Sequence, residues 1–349
     1  MVIVKAPAVA KLYGEHAVVY GRLSVAVALS AYAYADISEA NSGKLEISLP
    51  QMNASAVFSR SDLEGIFYDY AFRSDINAFA GKYKKISEHV LPYASIASRL
   101  MFHYGISAMG KRVAITSDIP IKKGLASSAA CSTAFTVAML KHAGATLPEG
   151  EIIDIARDGD RVLHRSEGAG KIDVSTSFYG GYVSYSSKKG AKREPIERSM
   201  NLVLVDTGPK KSTSETVGHV ADLYGSQKDE TESIFDMIEE CSVMGLEAIK
   251  KGDMAMAGSL MFKNHELLGR LGVSSDGLDK VVDISKKHDA YGAKLTGGGG
   301  GGIAMVLHSN PASIISELSA KGYQAYEYNV SMEGSRSSIE QLLNSSYSR

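Results

Sequence analysis

Apolar residues recur in short runs of the β type through the opening part of the chain, at positions 2–5, 10–13, 17–20, 24–29, 31–38 and 44–48. Alternation of this kind predicts a sheet-rich beginning. The most apolar stretch, 17–35, is broken by Gly21 and Arg22 and reads as two β segments joined by a Tyr-Gly-Arg turn, not as a membrane span. Helical spacing follows at 63–72 and 86–104, and 112–119 returns to a strand that stops at Pro120. Positions 127–143 are rich in small residues with no proline, which predicts a buried helix carrying two serines in its first turn. A second helix is expected from 149 to about 166.

After Gly180-Gly181 come strands at 182–185 and 202–206, and the polar, basic stretch 186–198 between them suits a hairpin loop or a domain connection. The chain is divided there, into residues 1–190 and 191–349. Ile234, Met237, Ile238, Cys241, Met244 and Ile249 recur at helical spacing and are expected in the core. Further helices are predicted at 254–271, 276–288 and 311–321, with strands at 303–308 and 323–330. Both halves mix helices and strands, so the fold class is α+β.

A length of 349 residues exceeds the usual size of one hydrophobic core and favours two domains. The formal net charge is −1, so no basic field points to nucleic acid, and an anionic small substrate must be met by local cations. Lys11, Lys122, Lys123, Lys210 and Lys211 are the candidates. Cys131 and Cys241 are far apart and outside any CxxC spacing, which argues against a disulfide framework or structural zinc and fits a reducing cytoplasm. No secretory signal is read at the start and no stretch reaches membrane length.

The chemistry sits in three distant segments: 122–130 (Lys-Lys-Gly-Leu-Ala-Ser-Ser-Ala-Ala), 168–173 (Gly-Ala-Gly-Lys-Ile-Asp) and the six glycines 297–302. Glycine lets a loop turn several backbone N–H groups toward one phosphate. In the first segment a strand ends at proline, two lysines follow, and Ser127 and Ser128 open a helix whose first N–H groups lack internal partners, which is an anion site by construction. Taken alone, the serines could equally be helix caps. A Walker A loop is missing, protein-kinase signatures fail at His164-Arg165-Ser166, and no Gly-x-Ser-x-Gly elbow occurs. The glycine run precedes a strand where a dinucleotide fingerprint would open a helix, which disfavours a dehydrogenase.

Taken in order, Ala6-Pro7 through Gly14-Glu15-His16-Ala17-Val18-Val19-Tyr20-Gly21, then 120–130, then 294–302, resemble the three motifs of the galactokinase, homoserine kinase, mevalonate kinase and phosphomevalonate kinase (GHMP) superfamily. The segment 14–21 is most similar to that of the mevalonate kinases. The resemblance implies a two-domain GHMP kinase fold, with an N-terminal domain like ribosomal protein S5 domain 2, containing a left-handed βαβ crossover, and a ferredoxin-like C-terminal domain. ATP would lie between them, held by Lys123, Gly124, Leu125, Ala126, Ser127 and Ser128 and by Gly297, Gly299 and Gly300. Asp173 matches the catalytic aspartate, and Ser128 and Asp160 match the Mg²⁺ ligands, the latter after allowing two extra residues. Glu15, His16, Thr213 and Gly298 fall on the substrate side.

The implied activity is ATP- and Mg²⁺-dependent phosphorylation of the 5-hydroxyl of mevalonate, in isoprenoid precursor synthesis. Several residues depart from the pattern. The lysine of the family's Ala-Pro-Gly-Lys is Val9 here, and Lys11, two residues on and on the same face of a strand, is the candidate to take its place. Lys122 and Ala126 stand where glycines are usual. These changes admit an already phosphorylated acceptor such as mevalonate 3-phosphate, and the loss of lysine at position 9 admits a non-catalytic nucleotide-binding regulator. No membrane or nucleic-acid partner is expected, and a homodimer is left open.

Overall fold

Strands β1 (Val2–Tyr13) and β2 (Ser24–Glu39) each run unbroken through two of the short apolar segments and pair antiparallel from Val2↔Ile37 to Tyr13↔Val25. Pro7 has no N–H to give the ladder, and the register shifts beside it, so one strand looks like two in the sequence. The expected strand at 17–20 is instead a turn of 3₁₀-helix, Ala17–Tyr20. The chain must reverse between β1 and β2 there, with Gly14, His16 and Gly21 all at positive φ. Only Ala17 of the four is buried, so the apolar run does not line the core. The computed structural model describes residues 1–72, 75–120, 123–165, 170–209 and 211–347; Lys122, Lys210 and the Gly168-Ala169 pair lie outside the described residues.

The first sheet adds β3 (Leu45–Leu49), β4 (Ala54–Phe58), β5 (Lys111–Ser117), β6 (Tyr182–Ser186) and β7 (Gly190–Glu194). Its order is β4-β3-β5-β2-β6-β7 with β1 beside β2, and only β3 and β5 pair in parallel. Between β4 and β5 lie α1 (Arg60–Phe72), α2 (Ile76–Lys82) and α3 (Leu91–Phe102). The helix expected over 86–104 begins only at Leu91, because Pro92 is tolerated in a first turn and not deeper. Then come α4 (Ser127–Ala143), α5 (Glu149–His164) and α6 (Lys171–Tyr179), and α4 packs on β1 and β2 with every residue from Ala129 to Leu140 buried. The basic stretch 186–198 is a hairpin whose second arm, β7, closes this sheet.

The second sheet starts at β8 (Asn201–Asp206) and continues through α7 (Thr213–Ser226), α8 (Lys228–Lys251), α9 (Met254–Arg270), α10 (Asp276–Lys287), β9 (Gly292–Leu295), β10 (Ile303–Leu307), α11 (Pro311–Ala320) and β11 (Gln324–Asn329). Its antiparallel order, β11-β8-β10-β9, is the ferredoxin-like arrangement. Within α8, Ile234, Ile238, Cys241 and Ile249 are buried, whereas Met237 is only partly so and Met244 is exposed. At roughly 100° per residue the two methionines fall some 100–120° off the centre of the buried stripe, which corrects their expected place in the core. Helix α12 (Arg336–Tyr347) returns to pack on α4, and Leu29 bridges to Val330 between the sheets.

Candidate active site

Lys11 and Asp173 meet at the inner end of β1. The Lys11 ammonium donates to both carboxylate oxygens, at 2.7 and 3.0 Å, and the side chains are 18% and 22% exposed, so the pair is partly open to solvent. Asp173 lies in the first turn of α6, where the helix dipole favours a negative group. Burial works against the charge on Lys11, but the field and hydrogen bond of Asp173 outweigh it and hold the ammonium above its usual range. Val9, on the same face of β1, is buried against Ala26 and Ile172. Its position belongs to apolar packing, and Lys11 stands one pleat further along the strand.

The loop 123–128 lies against this strand, with Val9 N–H donating to the Leu125 carbonyl at 3.1 Å. Ala126, where glycine is usual, precedes α4 at φ 51°, a left-handed conformation that costs a Cβ-bearing residue about 1–2 kcal/mol. Gly124 has φ 82°. Lys123 forms an ion pair with Asp206 at the end of β8, tying the loop to the second sheet. Ser128 lies 3.0 Å from His164 Nε2, and Asp160, one turn earlier on α5, lies 3.5 Å from the same nitrogen. Lys211 donates its backbone N–H to Gly300 at 3.0 Å.

The glycine run faces the loop. A Cβ on Gly297 would lie 3.3 Å from the Gly124 carbonyl, and one on Gly299, at φ 76°, would sit 2.1 Å from the Val273 carbonyl oxygen. Gly298 closes on Thr213 and Thr216 at 3.1–3.2 Å by the same measure, and its carbonyl lies 3.0 Å from His16 Nε2. Burial pushes the His16 ring down to about 4, so at neutral pH a neutral Nε2–H donates to Gly298. Glu15 does not reach the surface: it is 1% exposed and pairs with Lys294, itself fully buried in β9. Burial drives the Glu15 carboxyl up and the Lys294 ammonium down, each being the other's main counter-charge. Lys294 also donates to the Leu295 carbonyl at 2.6 Å and approaches that of Lys11 at 3.5 Å, while Thr296 Oγ1 accepts the Lys11 N–H at 2.9 Å.

Among the described residues no group of three or more His, Cys, Asp or Glu side chains could hold a metal ion on its own. Asp160 is 6% exposed, yet its Oδ1 has no hydrogen-bond partner among the described residues. One buried carboxylate beside a hydroxyl suits a hard divalent cation that takes its remaining ligands from phosphate oxygens and water.

The chain matches two family models, GHMP kinases N terminal domain over residues 91–181 and GHMP kinases C terminal over residues 246–324. A mevalonate kinase of Pyrococcus horikoshii is 32% identical over 313 residues, covering 88% of each chain. The chain belongs to the mevalonate kinase family of GHMP kinases. A mevalonate kinase of Thermococcus sibiricus is 31% identical over 96% of this chain and 98% of its own. A crystal structure of mevalonate kinase superposes with a TM-score of 0.78 at 25% identity, over 95% of this chain and all of that one. Membership makes the protein an ATP-dependent kinase with the two-domain GHMP fold, and no helix among the described residues is long and apolar enough to cross a membrane.

Asp173, Lys11, the loop 123–128 and the glycine run are all legible in the sequence, and the fold brings them close together. Lys294, Thr296, Asp206 and His164 were not singled out as site residues. Lys294 had a local signal, a lysine within a strand that runs straight into the glycines; the others are ordinary polar residues until the chain folds.

Proposed function

We propose that the protein transfers the γ-phosphoryl group of ATP to the 5-hydroxyl of mevalonate. The Lys11–Asp173 pair carries the reading, because it stands beside the phosphate loop and across from the glycine run. An alcohol is a weak nucleophile at neutral pH. Asp173 accepts its proton as the oxygen attacks the γ-phosphorus, and ADP leaves with the electrons of the broken P–O bond. The Lys11 ammonium, already in the cleft, meets the negative charge on the transferring group. Nucleotide phosphates bind the first N–H groups of α4 and the backbone of 123–128. Ser128 and Asp160 would hold Mg²⁺, which when bound would neutralise phosphate charge.

His16 and Thr213 shape the acceptor side of the glycine bend, and the buried Glu15 acts on it from beneath through Lys294. The protein works in the cytoplasm on this reading, where ATP is plentiful and its two thiols, both buried and free, stay reduced. The test is a panel of acceptors with ATP and Mg²⁺: mevalonate, mevalonate 3-phosphate, galactose and homoserine, with the phosphorylated position of each product determined. Turnover of mevalonate at its 5-hydroxyl is expected. Turnover confined to mevalonate 3-phosphate would change the acceptor, and turnover of only galactose or homoserine would overturn the reading.

A further inference from the structure

We propose that His164 gives a ring nitrogen to the divalent cation that accompanies the nucleotide, so that the protein's face of the metal site is Ser128, Asp160 and His164 and favours Mn²⁺ over Mg²⁺. The inference rests on the kinase reading above. Asp160 and His164 are four residues apart on α5 and therefore share a helix face, and Ser128 opens α4 directly opposite. His164 Nε2 lies 3.0 Å from Ser128 Oγ and 3.5 Å from Asp160 Oδ1. Neighbouring ligands of an octahedral ion with bonds of about 2.0–2.1 Å stand about 2.9 Å apart, so one separation already fits and the other needs a shift of about half an ångström.

Asp160 Oδ1 supplies the second observation. A buried carboxylate oxygen without a hydrogen-bond partner is costly, and native structures rarely leave one so. A hydrogen bond between Ser128 and His164 does nothing for it, whereas a cation in the gap bordered by all three groups satisfies it. The His164 side chain is 55% exposed, so an ion can reach its ring from solvent. With its proton on Nδ1, the ring accepts a hydrogen bond from the Ser128 hydroxyl at Nε2 and offers the same lone pair to a metal. Carboxylate and hydroxyl alone suit Mg²⁺, while an imidazole shifts preference toward transition ions.

The test uses the full chain with Mn²⁺ and the β,γ-methylene analogue of ATP, read by electron spin-echo spectroscopy. Wild-type protein is expected to show ¹⁴N modulation from a metal-bound imidazole, converted to the ¹⁵N pattern when the protein is made with ¹⁵N-histidine. His164→Gln should lose the modulation and about tenfold in Mn²⁺ affinity, with Mg²⁺ affinity, measured by competition, much less changed. Mn²⁺ bound with the nucleotide but without histidine nitrogen coupling, or with coupling that survives in His164→Gln, overturns the proposal and leaves the kinase reading intact. Failure of both Mn²⁺ and Mg²⁺ to bind with the analogue removes Ser128 and Asp160 as metal ligands and the proposal with them.

Discussion

Lys11 and Asp173, 162 positions apart in the chain, form a two-point ion pair at 2.7 and 3.0 Å. On the proposed function, Asp173 is the base that takes the acceptor's proton and Lys11 the cation beside it. Replacing Asp173 with Asn keeps the size and removes the base. We expect kcat to fall about 10²- to 10⁴-fold, with nucleotide affinity little changed; steady-state rates and nucleotide titration check both.

Moving the lysine back to its usual family position should not restore function. Val9 is 1% exposed against Ala26 and Ile172, so Val9→Lys combined with Lys11→Ala buries an ammonium among apolar side chains. The double variant should lose several kcal/mol of stability, on the order expected for an unpaired buried charge, and stay inactive. Urea unfolding and a phosphoryl-transfer assay read the two effects, and recovered turnover would show that the strand tolerates either root.

Gly299→Ala meets a backbone oxygen, not a movable side chain, with the Val273 carbonyl 2.1 Å from the new Cβ at a positive φ. The glycine bend has to shift. Loss of nucleotide and acceptor binding is expected, with the sheets still folded by circular dichroism.

The buried Glu15–Lys294 pair predicts asymmetric costs. Lys294→Met strands the Glu15 carboxylate and should destabilise by about 3–5 kcal/mol, while Glu15→Gln with Lys294→Met should recover part of that loss. Chemical denaturation of the two variants measures the difference.

His16 ties stability to pH. Its folded value, about 4, lies below the ordinary 6.5, so the unfolded chain binds more protons between those values. The neutral ring's contribution is complete above about pH 6.5 and is lost as pH falls toward 4, on the order of 3 kcal/mol in all. Denaturation midpoints from pH 7 to 4 should fall less steeply in His16→Gln than in wild type.

Much of the machinery was legible in the sequence because its physics is local. The helix at Ser127–Ala143 follows from small residues without proline, and its two leading serines mark an anion site wherever the helix goes. The glycine run shows close backbone approach by its composition alone, and the order of motifs is enough to suggest the superfamily. Other features depend on what the chain packs against. The apolar run at 17–20 resembles a strand until the reversal between β1 and β2 forces a 3₁₀ turn. Met244 keeps helical spacing yet faces outward because the buried stripe of α8 is narrower than the pattern. Period and composition tell each segment what it can become, but they carry no distance between residues remote in sequence. Only tertiary packing brings Lys294 under Glu15 and Lys123 onto Asp206 where the two sheets meet, and Ser128 of α4 onto His164 of α5, since those contacts form once burial has ordered the backbone that presents them.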